Sequence, residues 1–206
     1  MTDILHSIAV AFVAMFPMIN PIGHAPMFYG MTSDDTPERR RVMSGRIGLY
    51  VFLILTVSLL FGNLLLGFFA VTIDDLRIAG GLLVAHSGWA MLGNQSRVTP
   101  HEHAAAEEKE DISLTPMAMP ILAGPGAMSL AIGLSTYGQT FPHYIGFVLG
   151  FAAIALLTWI SFRESDAMVR VLNVNAIGAL NRVLGLFILA IGVNMVVKGV
   201  LDVFPR

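Results

Sequence analysis

From Ser113 to Phe162 the chain carries no Asp, Glu, Lys or Arg. One membrane crossing takes about 20 mostly apolar residues, so this stretch is long enough for two. Four more stretches are equally free of those charges: Ile4 to Ser33, Ile47 to Ile73, Ile78 to Ser96, and Val183 to Val197, the last continuing to about Val203. Breaking the longest stretch at a turn near Gly138 to His143 gives six spans. Helices are expected, because a barrel would show alternating segments of about 10 residues. Hydrophobic residues make up 55% of the 206 and charged residues 13%. A soluble domain carries about 25% charged residues. The length suits a single transmembrane domain, residues 1–206.

The net charge of -2 and the lack of a basic block give no reason to expect nucleic acid as a partner. The absence of cysteine excludes disulfides, zinc-thiolate sites and thiol catalysis. The opening MTDILH has no Lys or Arg, so the first apolar stretch is expected to stay as a span rather than act as a cleaved leader.

Basic residues orient the spans. Arg39, Arg40, Arg41 and Arg46 follow span one, Arg97 and Lys109 follow span three, and Arg163, Arg170 and Arg182 follow span five. These loops are expected on the cytoplasmic side. The other side holds only Arg77, Lys198 and Arg206, which places both termini outside the bacterial inner membrane. The long polar stretch, about 94–115, contains HEHAAAEEKED. It reads as a solvated cytoplasmic linker, and a metal on His101 and His103 is the less favoured reading.

The linker divides the chain into halves of about 1–93 and 116–206, and the halves echo each other. Span one carries Pro17, Asn20-Pro21-Ile22-Gly23 and Pro26; span four carries Pro116, Pro120 and Gly124-Pro125-Gly126. Span three opens Arg77-Ile78-Ala79-Gly80 and span six opens Arg182-Val183-Leu184-Gly185. Gly80, Ser87 and Asn94 recur at one spacing, and Gly185, Gly192 and Gly199 at the same one. Small residues on one face let membrane helices approach closely. Because each half has three spans, the second enters from the opposite side. The expected fold is all-α, with six transmembrane helices as a 3+3 inverted repeat and Gly/Pro breaks in spans one and four. Many secondary transporters are built this way. The Gly stripe beginning at Gly178 serves a homo-oligomer as readily as the internal fold.

A proline has no N–H and clashes with the carbonyl four residues back. In lipid each freed carbonyl needs a partner in protein, water or ligand. A helix that restarts after a break points free N–H groups and a positive dipole end at the gap, which suits a carboxylate. The freed carbonyls suit an ammonium group or a sodium ion. Asn20, Pro21, Gly23, Gly124, Pro125, Gly126 and Ser129 are therefore candidate substrate contacts. The bland reading of the same residues is a pair of structural kinks.

The segments NPIGHAP, RIAGGLLVAHSGWAML, PMAMPILAGPGAMS and RVLGLFILAIG resemble the MarC family, also called the small neutral amino-acid transporter family. The resemblance covers nearly the whole chain, and Asn20-Pro21-Ile22-Gly23 and Gly124-Pro125-Gly126 are its most specific elements. It implies a six-span inner-membrane protein and, from some members, carriage of glycine, alanine and similar amino acids with an ion gradient. His24 and His86 depart from the family's pattern.

Arg77 and Arg182 sit at equivalent starts of spans three and six. Either one would hold a substrate carboxylate, pair with a carboxylate such as Asp74, Asp75, Glu164 or Asp166, or snorkel to the interface. His86 reads as a packing residue before it reads as a proton relay. Asn63 and Asn194 read as hydrogen-bonding glue between helices. No acid lies inside a span, so coupling leans to sodium over protons, and no other cofactor is expected. The leading reading is a secondary transporter of small neutral amino acids working by alternating access. A channel or passive exporter of another small metabolite is the alternative. An enzyme is disfavoured, since no Ser-His pair, HExxH or paired intramembrane carboxylates occur. A scaffold without transport is the fourth reading.

Overall fold

The computed structural model describes residues 2–93, 111–137, 140–171 and 174–204, and among these all regular structure is helical. In chain order the helices are α1 (Thr2–Ile19), α2 (Pro21–Met31), α3 (Pro37–Phe68), α4 (Ile73–Leu92), α5 (Ser113–Leu122), α6 (Pro125–Leu134), α7 (Phe141–Arg163), α8 (Ser165–Val171) and α9 (Val174–Val203). Three are long and apolar enough to cross a membrane: α3, α7 and α9, the last from Ala176. Two bent pairs bring the number to five, α1 with α2 at 41° and α5 with α6 at 64°.

Both bends fall where the prolines were expected to break spans one and four. Asn20 ends α1 in the left-handed region, φ 44 and ψ 58, and its side chain accepts from the Gly23 N–H at the start of α2. Asn tolerates that conformation because its short side chain bonds locally. Pro21 then takes the first helical position, where a missing N–H costs nothing. In α5, Thr115 and Met119 leave helical geometry for extended φ/ψ. Each precedes a proline, whose ring disfavours the helical region for the residue before it. The backbone bonds stretch there to an i to i+5 pattern, Met117 N–H to Ile112 O and Ala123 N–H to Ala118 O.

Span three as read from the sequence is α4. It falls outside the spans identified by length and apolarity because Asp74, Asp75 and Arg77 crowd its first turns. A capping box of Thr72 and Asp75 starts it. Its glycines pack it instead. A Cβ at Gly81 would meet the Gly192 carbonyl at 2.8 Å, one at Gly88 the Leu189 N at 2.4 Å, and one at Gly192 the Ala85 N at 2.3 Å. Only glycine permits backbones to approach so closely. Gly185, Gly192 and Gly199 are thus committed to α4 within the fold, whereas Gly178 has no neighbour within 4 Å.

These contacts fix the directions. α4 runs antiparallel to α9, since Gly81 meets Gly192 while Gly88 meets Gly185. α1 runs parallel to α7, Ile4 against Gly146 and Ile8 against Gly150. α3 runs parallel to α5 and α6, with Met43 beside Ser113 and Asn63 bonded to Ser135. α3 runs antiparallel to α7, through Gly48 on Ala155 and Gly45 on Trp159.

Phe28 of α2 stacks on Phe162 of α7 with centroids 4.9 Å apart in the buried core. Arg40, one of the basic residues expected to face the cytoplasm, turns out to be buried. Its guanidinium donates to the Thr32 hydroxyl at 3.1 Å and the Thr32 carbonyl at 2.6 Å, and lies over the Tyr29 ring. It fastens the end of α2 to α3, so a residue counted for orientation also closes a helix end. The turn after α3 is a Schellman motif, with the Val71 N–H on Leu66 O, the Ala70 N–H on Gly67 O, and Ala70 at φ 53.

Candidate functional site

The two breaks lie in contact across the bundle. A Cβ on Gly126, in the first turn of α6, would come 2.7 Å from the Met18 methyl, just ahead of the break at Asn20. It would also come 3.0 Å from Val84 in α4. Met18, Asn20, Pro21, Gly124, Gly126 and Ser129 are buried, while Pro125 is exposed.

The sequence candidates divide by what already occupies them. Both polar atoms of the Asn20 side chain are engaged, the oxygen accepting from Gly23 N–H at 3.1 Å and the nitrogen donating to the Asn181 side-chain oxygen Oδ1 at 2.9 Å. Gly23 is required beneath that pair, because a Cβ there would sit 2.1 Å from the Asn181 oxygen. Ser129 donates to the Leu76 carbonyl at 3.1 Å and fits because Gly80 opposite has no Cβ. Arg77 is held at 2.8 Å by Asp74 and at 2.9 Å by Asp202, and its second terminal nitrogen reaches Thr136 at 3.3 Å. Arg182 is exposed, well apart from that cluster in the sequence of α9, and beside the Asn181 that holds Asn20.

The α6 start differs from that of α2. Gly124 caps it with extended backbone and no side-chain bond, and Pro125 follows at the first position. The N–H groups of the first turn are therefore not satisfied by a capping side chain. Buried helix N-termini of that kind carry a positive dipole end that favours anions. At the α1–α2 break one carbonyl is already taken. The His24 ring nitrogen Nδ1 lies 2.9 Å from the Ile19 carbonyl, which only accepts, so Nδ1 carries the proton. His24 thus satisfies this carbonyl from within the chain, a role the sequence reading did not give it.

A second feature lies at the end where α4 begins and α6 and α9 finish. A cleft of about 470 Å³ opens between α1, α6 and α9, with Arg77, Asn194, Lys198 and Tyr137 at that end and Val10, Ala14, Leu130 and Phe187 deeper. Asn194, read from the sequence as glue between helices, is exposed in this cleft, whereas Asn63 does bridge helices, donating to Ser135 at 2.8 Å. His86, read as packing, lies on the exposed side of α4. Among the described residues no group of three or more His, Cys, Asp or Glu is placed to hold a metal. His101 and His103 lie outside the described residues.

Comparison with known proteins places the chain among integral membrane proteins. Residues 5–204 match the family model described as MarC family integral membrane protein. The chain is 34% identical over 197 residues to the UPF0056 membrane protein YhcE of Escherichia coli, covering 94% of this chain and 92% of that protein. It is 32% identical over 198 residues to the UPF0056 membrane protein YvbG of Bacillus subtilis, covering 94% of each. It is also 32% identical over 216 residues to the UPF0056 inner membrane protein MarC of Salmonella typhimurium, covering 98% of each. No solved structure matches.

Proposed function

This chain belongs to the MarC family of integral membrane proteins, and from that premise we propose that it is a secondary transporter of small neutral amino acids, coupled to an ion gradient in the bacterial inner membrane. The observation that carries the reading is the meeting of two broken helices, with Gly126 of one against Met18 of the other. Gly/Pro-interrupted helices at matching positions of two halves are the best sequence pointer to a transporter site.

On this reading α4 is a sixth crossing, carried across on the glycine seam of α9, and the chain is a 3+3 inverted repeat with both termini outside. The helix directions support it. Exchanging the halves maps α1 on α7 onto α5 on α3, and leaves α4 on α9 paired with itself. In each half a residue of the broken span also bonds the residue before the arginine that opens the other half's third span, Asn20 to Asn181 and Ser129 to Leu76. The substrate carboxylate binds at the uncapped α6 N-terminus near Gly126, and the ammonium faces carbonyls at the breaks. Asn20, Pro21, Gly23, Gly124, Pro125 and Ser129 hold the two breaks in shape, and Arg77 and Arg182 mark the outer and inner ends. Sodium or a proton supplies the gradient. Rocking of the halves about the α4–α9 seam exposes the site to each side in turn.

The test is counterflow of labelled alanine and glycine in liposomes holding the purified protein, with and without sodium. The reading predicts saturable exchange that Gly126→Leu abolishes and Gly30→Ala, which has nothing within 4 Å to meet, leaves intact. Non-saturating flux or single-channel currents would replace the transporter with a channel. No exchange from folded protein would remove the substrate class.

A further inference from the structure

The cleft between α1, α6 and α9 is separate from the two breaks, and its shape follows α9. Phe187, Ala190, Ile191, Asn194, Met195 and Lys198 line it. They recur three and four residues apart, so they form one stripe on the helix. At a rise of about 1.5 Å per residue the stripe is about 16 Å long. It is apolar apart from Asn194 until it ends on Lys198, and Val10 and Leu130 line the cleft from α1 and α6. Phe187, Ala190, Asn194 and Lys198 are exposed, so the slot is open along the side of α9. That helix is long and apolar enough to cross a membrane, and its exposed side there meets lipid.

The two charged side chains of the lining are both cations, Arg77 and Lys198, and they sit at one end. Asp74 and Asp202 hold Arg77 through Nη1 but do not line the cleft. Its Nη2 donates only to Thr136, at 3.3 Å. Lys198 pairs with no carboxylate of the described residues, and Asp202, one turn on, is taken by Arg77. Lys198 is therefore the charge left to a ligand, and that ligand is an anion. α9 runs on to Val203, so Lys198 stands about 8 Å of helix short of its end. At that depth a lysine stem lies along apolar surface while its ammonium reaches the headgroup level. A soluble anion has nothing to fill the apolar stripe below. An anion carrying a long apolar chain, entering from the side, fits both ends.

We propose that this cleft is a binding site for an anionic phospholipid of the phosphatidylglycerol type. One acyl chain lies along the α9 stripe, and the phosphate binds at Lys198 with Arg77 Nη2 beside it. Basic pockets between membrane helices bind anionic headgroups in this way. A zwitterionic headgroup would bring an ammonium to a pocket whose lining charges are both positive. The proposal needs only a chain that lies in a membrane, and is independent of the amino-acid reading above. Residues of both halves line the cleft, Val10 and Arg77 from the first and Leu130 and Phe187 from the second. A bound lipid therefore bridges the halves and favours the arrangement described here.

Native mass spectrometry of the purified, delipidated full-length protein tests it, with titration of dioleoyl phosphatidylglycerol and dioleoyl phosphatidylcholine, which differ only in headgroup. The first phosphatidylglycerol is expected to bind about fivefold tighter than the first phosphatidylcholine, the worth of one basic residue near a lipid surface. Lys198→Gln should abolish that preference, and Lys198→Arg should keep it. Ala190→Trp, which fills the slot from an exposed position, should weaken both lipids. Leu64→Trp, on an exposed position of α3 away from the cleft, should weaken neither. Melting temperature and elution of the variants verify folding, and the two unrelated cleft variants guard against one that misfolds. Equal binding of the two lipids to wild type, a preference that survives Lys198→Gln, or equal effects of the two tryptophans overturns the proposal. So does displacement of phosphatidylglycerol by glycerol 1-phosphate, which would make the headgroup alone the ligand.

Discussion

Asn20 and Asn181, at opposite ends of the sequence, share a 2.9 Å hydrogen bond that ties the break of the first bent helix to the start of the last helix. The bond has a backbone condition, because Gly23 must lack a Cβ beneath it. Asn181→Ala is expected to cost about 1 kcal/mol, the usual worth of a polar bond between membrane helices. Asn20→Ala should cost more, about 2 kcal/mol, since it also loses the α2 cap and places alanine in the left-handed region. Thermal unfolding in detergent checks both, and the double variant should cost less than the sum of the singles.

Gly80 of α4 and Ser129 of α6 form a second close contact. A Cβ on Gly80 would lie 1.8 Å from the Ser129 oxygen and 2.4 Å from its Cβ. Gly80→Ala should destabilise the protein despite alanine's better helix propensity, worth about 1 kcal/mol. Ser129→Ala cannot relieve the clash, because its Cβ remains, but Ser129→Gly can. Gly80→Ala should therefore be less harmful in a Ser129→Gly background. Strict additivity of the two would show that they do not touch.

Ala70 occupies the left-handed position of a Schellman motif, where glycine is ordinarily found. The conformation costs an L-residue about 1–2 kcal/mol. Ala70→Gly is expected to raise stability by about 1 kcal/mol, offset in part by the freer unfolded chain. A lower melting temperature would mean the turn is not left-handed.

Asp111 precedes α5 and meets Arg46 of α3. Burial raises its carboxyl pKa, but bonds from Ser113 and the Arg46 charge outweigh that and hold it below the ordinary 3.8. A depressed folded pKa stabilises the protein above the unfolded value, and the contribution is lost as pH falls through the folded one. Wild type should therefore lose its advantage over Asp111→Asn below about pH 4, and keep it at neutral pH. An advantage unchanged from pH 7 to pH 3 would contradict the pairing.

The breaks at Asn20 and Gly124 were legible in the sequence because proline and glycine act through the local backbone, whatever surrounds them. Of the two small-residue series, that of Gly185, Gly192 and Gly199 does pack on α4, but the first was read one residue off, since Gly81 and Gly88 meet α9 whereas Gly80 meets Ser129. Pairing with a carboxylate was one of the readings open for Arg77, and Asp74 was among the partners named. Asp202 was not, because only the antiparallel course of α9 brings it there. The partner of Ser129 is a backbone carbonyl, and carbonyls leave no trace in residue identity. His24 was visible only as an oddity, since its role depends on the 41° bend that aims its ring at the Ile19 carbonyl. The cleft gathers Val10, Arg77 and Lys198 from three helices and Tyr137 from the turn after α6, a juxtaposition with no local signal.

The account stands or falls on six alternating crossings, and the absence of cysteine makes this directly measurable. Single cysteines at Ser33, Ala70, Thr140, Glu164 and Phe204 can be labelled in intact cells with a membrane-impermeant maleimide. Ala70, Thr140 and Phe204 are predicted to react from outside, and Ser33 and Glu164 only after permeabilisation. If Ala70 and Ser33 label from the same side, α3 does not cross. If Phe204 labels only after permeabilisation while Ala70 labels from outside, the chain crosses an odd number of times after that turn, and the inverted repeat is wrong.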